Sequence, residues 1–193
     1  MKNLLRIAGC FLPLDARAPV NRADQIFNGL SGSPERQLTS LRELLDFIPN
    51  NEVNTRTFVE IKDGMEKVLS CLETEDVSVK VNALAVLNCL ILNKKANQQV
   101  CGQIERVWTK VLSCVDHEDV RVKGNALKVM GELISNNEAK QEALGREEGV
   151  WKEVLSCLDH EDVRVKRNAL AVLNYLILNK KANQLELGQI EGG

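Results

Sequence analysis

Aromatic residues are scarce in this chain: Phe, Trp and Tyr together account for 4% of it. Its apolar content of 44% is enough to build a core, but that core must be filled by Leu, Val, Ile and Ala. Thin layers of helix accommodate such residues well. No run approaches the roughly 20 apolar residues of a membrane-spanning helix, so no membrane span is expected. Charge of one sign is missing too: 25 Lys and Arg stand against 27 Asp and Glu, a net charge of -2. That balance argues against wholesale attraction to nucleic acid or to an anionic membrane. There is no Asn-x-Ser/Thr glycosylation site.

The residues of common chemistries are equally sparse. The only two histidines are His117 and His160, each beside Glu and Asp in a polar stretch that reads as a turn rather than a metal site. No HExxH, phosphate-cradling Gly loop, dinucleotide fingerprint or nucleophile elbow occurs. Gly29-Leu30-Ser31-Gly32-Ser33 fits a connection between helices. No set of nucleophile, base and orienting group can be assembled. The expectation is a protein without enzymatic activity, with no catalytic, cofactor-binding or metal-binding residues and no cofactor.

What the chain does have is a repeat of 43 residues. Val68-Leu69-Ser70-Cys71-Leu72 returns as Val111-Leu112-Ser113-Cys114-Val115 and again as Val154-Leu155-Ser156-Cys157-Leu158. Asp76, Asp119 and Asp162 keep the step, as do Asn82, Asn125 and Asn168, and Trp108 and Trp151. A fixed period of about 20–50 residues marks a stacked array whose units bury their apolar faces against their neighbours. Counting back by the same step places Leu41, Leu44, Phe47 and Ile48 in a degenerate first unit. Four units follow, at about 22–63, 64–106, 107–149 and 150–192, with residues 1–21 as an N-terminal capping segment. Ile7-Ala8-Gly9-Cys10 looks like a lipoprotein box, but Arg6 leaves almost no apolar run ahead of it, so a signal peptide is not expected.

The fourth unit is the clearest. From Gly149, apolar residues fall at helical spacing through Leu158. Asp159-His160-Glu161-Asp162 is a polar turn in which Asp162 is suited to cap the next helix; Ser33, Asp76 and Asp119 are its equivalents, with Pro34 at the favoured first helical position. A long helix is expected from Val163 to Leu178, a break at Asn179-Lys180-Lys181, and a short amphipathic helix around Ala182–Leu187. Cys71, Cys114 and Cys157 occupy one position of successive layers. Helices about 8–10 Å apart are too distant for disulfides, which need Cα atoms within about 4.4–6.8 Å. Buried free thiols that react slowly are therefore expected, in a reducing, cytoplasmic compartment.

The three-helix unit resembles the armadillo repeat. Residues 149–158 match that family's opening helix, with Trp151 in place of its Pro, and Ala83–Leu90 and Ala169–Leu176 match its long third helix apart from its Asn. The Asp-Val-Arg-Val-Lys strings at 119–123 and 162–166 also look like the related HEAT repeat. The resemblance, which covers about residues 22–193, implies an all-α, right-handed α-solenoid whose long helices line a concave groove for an extended peptide. In the family a Trp and an Asn from each repeat grip that peptide. Here the corresponding positions are Arg42, Ala85, Lys128 and Ala171, and Asp46, Cys89, Glu132 and Tyr175, so neither ladder is carried by this sequence.

One turn earlier lie Thr39, Asn82, Asn125 and Asn168. This Asn ladder can either meet a peptide backbone at regular intervals or bond within and between helices. Arg121, Arg164 and Arg167 flank it and would favour an acidic partner. The expected function is a scaffold or adaptor that binds a partner protein or extended peptide along the long helices. Its candidate groove residues are Asn82, Asn125, Asn168, Arg121, Arg164, Lys128, Glu132 and Tyr175.

Two other readings stand beside it. One is a self-assembling structural element, or homodimer, joined through an uncapped C-terminal repeat, with Leu158, Val172 and Leu176 as contacts; a chain cut from a longer solenoid is the alternative expectation for the same open end. The other is nucleic-acid binding along Lys80, Arg121, Lys123, Arg164, Lys166, Arg167, Lys180 and Lys181; interleaved acids and missing stacking aromatics count against it. Leu84, Leu127 and Leu170 are expected to be buried at equivalent places.

Overall fold

The computed structural model describes residues 5–7, 10–12, 17–48, 54, 58, 63–92, 105–135, 137–146 and 148–177. The helix expected at 182–187, the break at 179–181 and Cys101 lie outside the described residues. A small antiparallel hairpin comes first, β1 (Leu5–Ile7) against β2 (Cys10–Leu12), with Leu5 opposite Leu12 and Ile7 opposite Cys10. Among the described residues it is the one departure from the all-α expectation. Leu-Arg-Ile and Cys-Phe-Leu are strand-compatible strings separated by only Ala8 and Gly9, a loop length that favours hairpins. Helix α1 (Arg17–Gly29) then runs across the expected boundary at residue 21.

The further helices described in full are α2 (Pro34–Phe47), α3 (Gly64–Ser70), α4 (Val77–Ile91), α5 (Glu105–Ser113), α6 (Val120–Ile134), α7 (Glu138–Leu144), α8 (Glu148–Ser156) and α9 (Val163–Ile177). A single 3-10 turn, Cys157–Asp159, joins α8 to the loop before α9. In the third unit α5, α6 and α7 supply the expected three helices. Gly149 does not break α8, which starts one residue before it.

The long helices start where cap chemistry puts them. Asp76 accepts the Val79 N–H at 3.0 Å, Asp119 the Arg121 N–H at 2.9 Å, and Asp162 those of Arg164 and Val165 at 2.8 and 3.3 Å. Ser33 makes no such side-chain bond, and α2 relies on Pro34 in its first turn. His117 and His160 complete two of these turns: the Nδ1 of each accepts the N–H of the following cap, Asp119 or Asp162, at 3.0 Å. At the other end of α6, the terminal Ile134 carbonyl accepts both the Asn137 N–H at 3.1 Å and the side-chain N–H of the buried Gln141 at 2.7 Å.

Helices α2, α4, α6 and α9 form a row, each packed on the next, and the shorter helices lie against them. Along α4, α6 and α9 the third, seventh, tenth and fourteenth residues after the cap are buried, which is one helical stripe per layer. Trp151 ties the third unit to the fourth by donating its indole N–H to the Gly145 carbonyl at 2.8 Å. Cys71, Cys114 and Cys157 are buried free thiols, and Cys89 is a half-buried one. Burial pushes the Cys71 thiol up to about 11 and raises those of Cys114 and Cys157.

Two expectations need correction. Leu84 and Leu127 are fully buried, but Leu170 at the equivalent place is 57% exposed. Val172 and Leu176, expected as end contacts, are fully buried in the core, and Leu158 is partly buried against it. Val172 lies on the side of α9 turned to the preceding layer, not on its free side. A β-carbon built on Gly131 of α6 would lie 3.8 Å from Val172 Cγ2, so Val172 faces backwards.

Candidate functional site

The row of long helices carries a second stripe, opposite the core. Counting from each cap, the second, sixth, ninth and thirteenth residues share one helix face. They form four columns at the 43-residue step: Glu35, Ser78, Arg121 and Arg164; Thr39, Asn82, Asn125 and Asn168; Arg42, Ala85, Lys128 and Ala171; and Asp46, Cys89, Glu132 and Tyr175. None of these sixteen residues is buried. All eight groove candidates named from the sequence lie on this face, distributed over α4, α6 and α9.

Each Asn of the ladder commits one amide N–H within the protein. Asn82 donates to the Ser78 carbonyl at 2.8 Å and Asn125 to the Arg121 carbonyl at 2.9 Å, both one turn back in the same helix. Asn168 reaches across to the Gly124 carbonyl of α6 at 2.8 Å. The intra-protein role is thus real for all three. A carboxamide also has a second N–H and an acceptor oxygen, so the ladder keeps capacity for a ligand.

The arginines are less available than the sequence implies. The Arg121 guanidinium grips its own cap, with Nε donating to Asp119 Oδ1 at 3.2 Å and Nη2 to Oδ2 at 2.9 Å. Arg164 repeats this on Asp162 at 3.3 and 3.0 Å. These side-chain bonds, with the capping N–H groups, hold both carboxyls down at about 2. The pairs present nearly neutral edges, which undercuts the expected preference for an acidic partner. Arg167 is not on the groove face at all: with Val163, Leu170 and Asn174 it lies on the flank of α9 beyond the row.

Sequence reasoning missed two further features. Gly124 and Gly131 are buried in α6, and their closest would-be contacts are Val165 and Val172 of α9, both at 3.8 Å. Their seven-residue separation on one helix was the available signal. The exposed flank of α9 was the other. Among the described residues there is no cluster of three His, Cys, Asp or Glu able to hold a metal, and no helix is long and apolar enough to cross a membrane.

No protein-family model matches the sequence, and no curated protein matches it. Solved structures do. A computationally designed armadillo repeat protein for modular peptide recognition superposes with a TM-score of 0.78 at 16% identity, over 92% of this chain and 72% of that one. The chain has an armadillo-like repeat fold. The designed armadillo repeat protein YIII(Dq)4CqI gives a TM-score of 0.76 at 17% identity, over 86% of this chain and 69% of that one. A third, YIII(Dq.V1)4CPAF in complex with the peptide (KR)4, gives 0.59 at 13% identity, over 90% and 88%. Identities this low carry the fold alone. In an armadillo-like stack, the face bearing the four columns is the one formed jointly by all the long helices.

Proposed function

We propose that this chain is a non-enzymatic binding scaffold that takes an extended segment of a partner protein across the open face of α2, α4, α6 and α9. One observation carries the reading: four columns of side chains, none of them buried, repeated once per layer, with Asn at the sixth position of three successive helices. Packed helices lie about 8–10 Å apart, and an extended chain advances roughly 3.3 Å per residue. A bound strand therefore meets an equivalent set of side chains every two to three residues. The Asn carboxamides supply backbone-directed hydrogen bonds. Lys128, Glu132 and Tyr175 vary the chemistry from layer to layer. That the designed armadillo neighbours include one made for modular peptide recognition and one bound to (KR)4 supports this use of the face. Buried thiols support a reducing, cytoplasmic setting.

A library of extended peptides tests the reading, screened against the full chain and against a variant with Asn82, Asn125 and Asn168 changed to Ala. Unchanged far-UV circular dichroism establishes that the variant is folded. Peptides that bind the parent and are lost from the variant support the groove; equal retention by both rejects it. A salt titration with DNA and RNA covers the nucleic-acid alternative, for which affinity must fall steeply as salt rises.

A further inference from the structure

The contacts between successive long helices reuse a fixed set of positions. Towards the preceding layer each helix presents its third and tenth residues: Val79 and Val86 in α4, Val122 and Val129 in α6, Val165 and Val172 in α9, all buried. In α2 the same positions are Arg36 and Glu43, both exposed. Towards the following layer each helix presents its first and eighth residues. Val77 with Leu84, and Val120 with Leu127, are covered or half-covered there; Val163 and Leu170 on α9 are 75% and 57% exposed. The row is thus sealed with charge at α2 and left apolar at α9. Val163 and Leu170 are also the only large hydrophobic side chains exposed among the described residues.

We propose that the α9 flank is a self-association surface that joins two copies of the chain, α9 against α9, about a two-fold axis. The flank continues an interface the molecule already builds between α4 and α6 and between α6 and α9. Among the described residues, a second copy offers one matching apolar surface, which is its own α9. The α2 end would instead desolvate the charges of Arg36 and Glu43, a cost that their pairing across the axis has to offset, whereas α9 offers the apolar Val163 and Leu170. The stripe Val163, Arg167, Leu170 and Asn174 is self-complementary when the helices run antiparallel with the axis beside Leu170. Leu170 then meets Leu170 of the second copy. Arg167, a donor only, meets Asn174 of the second copy, whose carboxamide oxygen accepts. The contact is isologous and closes at two. Because the patch is compact, the dimer is a reversible one. This inference stands apart from the groove, which lies on a different helix face.

Analytical ultracentrifugation of the full chain, from about micromolar to about millimolar concentration, tests it. The expected result is a monomer–dimer equilibrium whose dissociation constant rises by at least about tenfold in Leu170→Glu. Leu170 is exposed in the isolated chain, so that variant keeps its helical circular dichroism. Leu127→Val, at the covered equivalent, leaves the association constant within about twofold of the parent. A monomer throughout the series, a dimer indifferent to Leu170→Glu, or growth beyond two copies each overturns the proposal.

Discussion

A glycine in the middle of a helix costs stability unless its missing side chain is needed, and α6 has two. A β-carbon on Gly124 would meet only Val165 at 3.8 Å, and one on Gly131 only Val172 and Tyr175 at 3.8 and 3.9 Å, all ordinary contacts. Gly124→Ala and Gly131→Ala should therefore each stabilise the fold by about 0.5–1 kcal/mol, read from denaturant titration. Gly29 is the contrasting case. Its β-carbon would stand 1.9 Å from Ser40 Oγ between α1 and α2, so Gly29→Ala should cost about 1–3 kcal/mol. Opposite signs for the two helices are the outcome to look for. The cap carboxylates make a prediction in pH. Asp119 and Asp162 are held at about 2 by their Arg121 and Arg164 hydrogen bonds, below the ordinary 3.8. The stability they contribute is present in full above about pH 4 and is lost as pH falls towards about 2. Asp119→Asn with Asp162→Asn should flatten the acid limb of the stability profile over that window. An unchanged limb would assign acid unfolding to other groups.

One string begins inside both α4 and α9: residues 82–98 and 168–184 differ only at Cys89 and Tyr175. Leu84 is nonetheless fully buried and Leu170 more than half exposed, because burial here is a property of the next layer rather than of the helix. Leu127→Ala should therefore cost about 2–5 kcal/mol, and Leu170→Ala should stay within about 0.5 kcal/mol of the parent. Thermal melts of the two variants separate the cases, and equal losses would refute the open row. The same contrast marks what was legible in the sequence. Helix starts at Asp76, Asp119 and Asp162 could be read directly, since capping is local chemistry. The columns of the open face followed from period and helical spacing. Which flank of α9 was free could not be read. Periodicity identifies apolar residues but not the neighbour each one meets, and so does not separate the buried Val172 and Leu176 from the exposed Val163 and Leu170. The bond from Asn168 to the Gly124 carbonyl likewise depends on how two helices are set against each other, which no single repeat encodes.

At the scale of the molecule the two ends of the row are unlike. Arg36 and Glu43 close the α2 end where internal layers carry valine, and Val163 and Leu170 leave the α9 end apolar. Such a row is additive, each layer depending mainly on the layers it touches. The near-identity of 82–98 and 168–184, at a distance of 86 residues and hence of two layers, has a consequence in the language of recombination. A crossover between misaligned copies of that string inserts or deletes two whole layers without creating a new junction. After Arg167 the chain can proceed to Asn82 as readily as to Asn168, because the residues that follow are the same. A chain in which residues 82–167 occur twice should consequently fold, with two further long helices and a higher melting temperature than the parent. Calorimetry of that longer chain is the check, and a lower or split transition would show that the layers are not interchangeable. Length, in this architecture, is a quantity that heredity can change in steps of two layers, with Arg167 in the place of Val81 as a change at the new layer boundary.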